Sequence, residues 1–172
     1  MKNNNWIYKV FLLTFILSIF FSGIANVITY NANIILTLIL LILVISLGII
    51  FDMIGTSVLT SKESSFHAMN SKKIKGAKEA ISLLKNNAKT ANLCMDVFGD
   101  IFGILSGGLG AVLTINIAAK TNISLPIISV IIGALISSLT VGGKAGFKNI
   151  AIKKSDFIVF TVGKLKHLFR FK

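Results

Sequence analysis

Four stretches of this chain are each long and apolar enough to cross a bilayer. They run over roughly Val10–Thr29, Ile34–Thr60, Ala91–Ala118 and Leu125–Gly143, and a spanning helix needs about 20 mostly apolar residues. Composition agrees, with 54% hydrophobic residues and a mean hydropathy of +0.84, values that soluble domains rarely reach. Lys2 and Lys9 precede the first stretch as they would in a signal peptide. No clear small-x-small cleavage site follows, however, and the apolar character runs on to Ile28, which favours a retained span. The expectation is an all-α integral membrane fold with four transmembrane helices.

The charges sort themselves around these spans. Lys2 and Lys9 lie before the first, and the loop 30–33 carries none. The segment Ser61–Thr90 has seven lysines and two glutamates, the next loop has only Lys120, and eight Lys or Arg follow from Lys144 onward. Seventeen of the eighteen basic residues thus fall on one side of a four-span arrangement. The positive-inside rule makes that side cytoplasmic, with both termini there and the chain in the cell membrane. A net charge of +12 can also signal nucleic acid, but basic residues set between long apolar runs indicate a membrane and no nucleic-acid partner. The abundance of Ile, Asn and Lys resembles that of AT-rich bacterial genomes.

Within 61–90, Ile74, Ala77, Ile81 and Leu84 recur at helical spacing, ringed by Lys72, Lys73, Lys75, Lys78 and Lys85. This pattern predicts a basic amphipathic juxtamembrane helical segment whose lysines meet anionic lipid headgroups. The tail 153–172, ending "KLKHLFRFK", has a similar character. A solvated charged face together with topology signals accounts for most of the same lysines.

Several chemistries are excluded. One cysteine, Cys94, allows no internal disulfide framework. That cysteine and two distant histidines make no zinc site. There is no Gly-rich phosphate loop and no nucleophile elbow, and with His67 in the cytoplasmic belt and His167 in the tail neither is expected to meet both a nucleophile and an acid, so the chain reads as a non-enzyme.

Three of the six acidic residues lie inside spans: Asp52, Asp96 and Asp100. Each costs roughly 2.5–3.5 kcal/mol near a helix centre, and intramembrane carboxylates usually face a bundle interior and carry function. Asp96 and Asp100, at i and i+4, share a helix face that Gly99, Gly103, Gly107 and Gly110 continue. Phe98, Phe102, Leu105 and Leu109 take the other face and are expected to meet lipid. Gly48, Asp52, Thr56 and Thr60 form a comparable stripe in the second span, as do Gly133, Ser137, Thr140 and Lys144 in the fourth. Close helix packing explains the glycines but not the aspartates. Asp52 and Asp100 each lie about 13 Å in from the ends of their helices, and Thr56 is level with Asp96. Antiparallel helices would gather Asp52, Thr56, Asp96 and Asp100 into a set of hard oxygen ligands suited to magnesium or calcium. Two alternatives stand beside the metal site: an internal network in which Lys144 neutralises an aspartate, and a proton relay.

Over about Ile50–Ala151 these residues resemble the transmembrane domain of the CorB/CNNM magnesium transporters. "FDMIGTSVL" is similar to that family's F-S-x-S-E-T-A-L-T signature, with Phe51 and Thr56 matching, Asp52 for the first serine and Gly55 for the glutamate. "KKIKGAKEAISLLKN" is similar to its basic helical belt. "MDVFGD" is similar to its G-N-N-x-x-N motif, with Asp96 and Asp100 at asparagine positions. "GKAGFKNIA" keeps the glycine, Lys148 and Ala151 of G-E-x-x-P-K-x-x-A, with Lys144 in place of the glutamate and Phe147 in place of the proline.

The resemblance implies a module over 34–152 with its cytoplasmic belt at 61–90, preceded by an extra helix and external loop at 1–33. The 172 residues contain no counterpart of the family's CBS-pair domain. It implies transport or binding of Mg2+ through Asp52, Thr56, Ser57, Asp96 and Asp100, and, with the glycine face, a homodimer. The alternative is a non-transporting protein of the same fold in which Lys144 fills the metal's place. The choice turns on the helix after Gly142-Gly143. If it continues to about Ile152, Lys144 lies deep and must pair with an aspartate; if it stops, Lys144 snorkels to the surface. The similarity of Lys148, Asn149 and Ala151 to the family's continuing segment favours the deep position.

Overall fold

The computed structural model describes residues 4–29 and 33–170. Lys2 and Lys172 of the charge map, and positions 30–32 of the first loop, lie outside the described residues. The described chain is helical, with no strand: α1 Asn4–Thr29, α2 Ile34–Thr60, α3 Glu63–Ser71, α4 Ala77–Leu84, α5 Asn87–Asn92, a π-helical stretch Leu93–Phe98, α6 Gly99–Ala118, α7 Leu125–Lys153 and α8 Ser155–Arg170. Among the described residues four helices are long and apolar enough to cross a membrane: Trp6–Thr29, Ile34–Thr60, Asn87–Ala118 and Leu125–Lys153. The third begins four residues before the expected Ala91, and the fourth extends ten beyond the expected Gly143.

Local chemistry places the ends of these helices. Asn33 caps α2, its Oδ1 accepting the Leu36 N–H at 2.9 Å. Pro126 sits in the first turn of α7, where its missing N–H leaves no bond unmade. The basic segment departs from the single amphipathic helix predicted for it. Lys73 has φ +54° and Gly76 φ +91°, so the chain turns between α3 and α4. Ala77, Ile81 and Leu84 are buried, but Ile74, on the turn, is 40% exposed. A left-handed conformation favours glycine because it has no Cβ to clash, and Gly76 is what permits the turn.

The chain divides into two compact units. The first comprises residues 1–48 and 99–142, the second residues 49–98 and 143–172.

In the first unit α6 is the centre. Phe102, Leu105, Leu109 and Leu113 on α6 are buried, together with Leu41 and Ile45 of α2 and Ile128 and Ile132 of α7. Phe21 of α1 meets Phe102 with ring centroids 5.7 Å apart, and a Cβ at Gly48 would stand 3.3 Å from that of Phe102. Gly110 takes Ile136 of α7 where a side chain would otherwise be. These contacts change the predicted orientation of α6: Phe102, Leu105 and Leu109 face inward, and of the glycine face Gly99 and Gly110 are buried whereas Asp100, Gly103 and Gly107 are exposed. The physical reason is dispersion. Apart from Asp100 both faces of α6 are apolar or small, so the face offering large side chains to neighbouring helices gains more contact than one lined by hydrogens.

The second unit has its own core of Val58, Phe66, Ala80, Ile81, Leu84 and Val159, with Ile54, Met69 and Phe160 against it. Phe66 and Val159 are fully buried. α8 lies against α4 so closely that a Cβ at Gly163 would come within 2.6 Å of the Gly76 carbonyl oxygen. Ser65 Oγ donates to Asp156 Oδ2 at 3.0 Å, tying α3 to the first turn of α8.

Candidate functional site: an aspartate–lysine pair

The site lies in the second unit, where the C-terminal part of α2 meets α7. Gly143 leaves room for Ile49. One turn further along α2, Lys144 Nζ stands 3.5 Å from Asp52 Oδ1, the side chains 30% and 16% exposed. Further on, Ser57 Oγ donates to the Ala151 carbonyl at 3.1 Å in a buried bond. Eight residues separate Ile49 from Ser57 and eight separate Gly143 from Ala151, so the two segments run parallel and in register.

The opposite flank of α2 meets the stretch before α6. Phe51 stacks on Phe98 at 4.6 Å, and Gly55 receives Met95, with the Ala91 carbonyl oxygen 3.2 Å from where a Cβ would be. Phe51 opposite Phe98 and Gly55 opposite Met95 make an antiparallel register, in which Thr56 stands level with Leu93 and Cys94, two to three residues short of the expected Asp96. The π-helical turn is wider than an α-turn, and such turns recur at functional sites. Here it carries Met95 into the Gly55 notch and leaves Asp96 exposed.

The expected ligand set therefore distributes as follows. Asp52, Thr56, Ser57 and Asp96 belong to the second unit, and Asp100 to the first. Asp52 faces Lys144, and Ser57 spends its hydroxyl proton on Ala151. Thr56 is 6% exposed, and its Oγ1 is buried without a hydrogen-bond partner among the described residues. Among the described residues no group of three or more His, Cys, Asp or Glu side chains stands close enough to hold a metal ion.

Three features escaped the sequence. The Gly55–Met95 notch explains why a glycine stands where the resembling signature has glutamate; the glycine itself, between Ile54 and Thr56, is the signal. The Ser57–Ala151 bond links residues 94 apart, and no spacing rule reaches that far. Each histidine also has an acid beside it: His67 Nε2 is 3.5 Å from Glu63 Oε1 within α3, and His167 Nδ1 is 3.1 Å from Oε1 of the buried Glu79.

The first unit holds a cleft of about 400 Å3 between α6 and α7, where the small residues Gly103, Gly107 and Gly133 alternate with the hydroxyls of Ser106, Ser137 and Thr140. Thr140 Oγ1 is buried without a partner among the described residues.

No family model, curated protein or solved structure matches this chain. Its chemistry is carried by the geometry alone.

Proposed function

We propose that the chain is a multi-pass protein of the cell membrane, similar in plan to a CorB/CNNM module, in which the Lys144 ammonium occupies the place of a cation beside Asp52. In this reading it is a non-transporting membrane interaction or regulatory protein. The observation that carries the reading is the 3.5 Å pair between Lys144 and Asp52, on a helix that continues through Gly142-Gly143 to Lys153. An ammonium at that distance satisfies the carboxylate and competes with any divalent ion for it, because two cations in one small pocket repel strongly at low dielectric.

The test is magnesium-dependent thermal stabilisation of the purified protein in detergent. The parent is expected to show none. Lys144→Ala is expected to gain it, approaching about 2.7 kcal/mol when magnesium reaches a hundred times its dissociation constant, and the gain should vanish when Asp52→Asn is added. A parent that magnesium stabilises as well as it does the variant would overturn the tethered-cation reading.

That outcome would favour a second reading, in which the chain handles a divalent cation, magnesium by the resemblance. One observation supports it: Thr56 Oγ1, one turn from Asp52, is buried without a partner among the described residues, as an oxygen waiting for a ligand would be.

The orientation we propose is cytoplasmic for the termini and for 61–90, from the charge asymmetry. Reporter fusions after residue 32 and after residue 75 are expected on opposite sides of the membrane. Equal sidedness would reject four alternating spans.

A further inference from the structure

α8 has two faces of different character. Ser155, Val159 and Gly163 are buried, the last against α4. On the far side Phe157, Leu165, Leu168 and Phe169 are 69%, 58%, 71% and 77% exposed. Phe157, Thr161, Leu165 and Leu168 follow one another at intervals of four, four and three residues, which is a single helical stripe. Its one polar member is already satisfied, since Thr161 Oγ1 donates to the Phe157 carbonyl at 2.8 Å. The stripe thus presents little that needs water.

Charge is arranged to match. Lys153, Lys154, Lys164 and Lys166 are exposed beside the stripe, and Lys164 lays its ammonium 4.5 Å over the Phe160 ring. The acids of this region are held elsewhere: Asp156 accepts from Ser65, and Glu79 is buried beside His167. A strongly apolar face flanked by cations fits an anionic bilayer surface. A second copy of the same face would bring lysine against lysine. Only Lys154 separates α8 from α7, a helix long and apolar enough to span a membrane.

We propose that this face of α8 docks on an anionic lipid surface, with Phe157, Leu165, Leu168 and Phe169 at the boundary of headgroups and acyl chains and the four lysines on lipid phosphates. The proposal rests on the membrane reading above and adds to it a surface-lying helix beyond the last span.

The experiment uses the full chain carrying Cys94→Ser, with a fluorophore on Leu168→Cys or, as a control inside the span, on Leu139→Cys. Each is reconstituted into phosphatidylcholine vesicles with or without phosphatidylglycerol, with brominated acyl chains as quencher. Quenching is expected at 139 in both lipids, and at 168 mainly with phosphatidylglycerol. Each of Lys164→Gln and Lys166→Gln should lower the docked-to-free ratio at 168 about five-fold. Quenching at 139 without quenching at 168 in anionic vesicles overturns the docking. So does a response at 168 that follows protein-to-lipid ratio rather than lipid charge, which marks a second copy as the occupant. Absence of quenching at 139 removes the membrane reading itself, and the docking with it.

Discussion

Lys144→Ala is expected to destabilise the protein by about 3 kcal/mol, read as a lower midpoint on unfolding in detergent and SDS. Removing one partner from a buried ion pair leaves an uncompensated charge, at a cost of about 3–5 kcal/mol. The lower end applies because the Lys144 side chain is 30% exposed and a carboxylate away from a helix centre costs less. Asp52→Asn alone strands the ammonium instead, but a lysine reaches headgroups more readily than an aspartate does, so the loss should be smaller. The double variant Lys144→Ala with Asp52→Asn should recover most of the stability, since it removes both charges. If the double variant loses as much as the sum of the singles, the 3.5 Å contact contributes nothing and the pair is incidental. This measurement needs no magnesium, so it separates the energetics of the pair from its proposed role as a tethered cation.

Gly163→Val is the second change with a large expected effect, again about 3 kcal/mol or more. A Cβ at 163 would meet the Gly76 carbonyl oxygen at 2.6 Å, the Ala80 nitrogen at 3.0 Å and the Ala80 Cβ at 3.1 Å. Two of the three are backbone atoms, which cannot swing aside as a side-chain tip can, so α8 must lift from α4. Overfilling a packed core typically costs about 1–3 kcal/mol, and more when backbone has to move. The displacement would also open the contact between His167 and Glu79. Gly146→Ala is the control: nothing lies within 4 Å of a Cβ there, and alanine favours the helix by about 1 kcal/mol over glycine. Limited proteolysis between α7 and α8 should accelerate in Gly163→Val and stay unchanged in Gly146→Ala. Equal behaviour of the two variants would mean that the α4–α8 contact does not hold the second unit together.

Counting residues inward from the ends of two helices predicts Thr56 level with Asp96. The stacked Phe51–Phe98 pair and the Gly55–Met95 contact keep the antiparallel sense but shift the level by two to three residues, to Leu93 and Cys94. The same counting could not say which way the carboxylates point. Asp96 sits on a π-helical turn, where the usual 3.6-residue period no longer projects a side chain, and it is exposed. The reading of 72–85 as one helix failed for a related reason. Apolar spacing cannot detect that Gly76 takes φ +91° and breaks the helix before it starts.

What the sequence determined by itself is the helical class, the number of membrane-length segments and the partition of charge among the loops. These depend on the hydropathy and length of contiguous residues, which need no knowledge of neighbours in space. Apolar length alone ended the last span at Gly143, and only the likeness of Lys148, Asn149 and Ala151 to the resembling family's continuing segment pointed to the longer α7. Only the tertiary structure decided the inward face of α6, the notch that joins Gly55 to Met95 and the choice of Asp52 as the partner of Lys144. In a span every face is apolar, so hydrophobic periodicity, which orients a helix in water, carries no direction. Contact decides instead, and contact between Phe102 and Phe21, between Ser57 and Ala151, or between Asp52 and Lys144 joins residues some 80 to 95 positions apart.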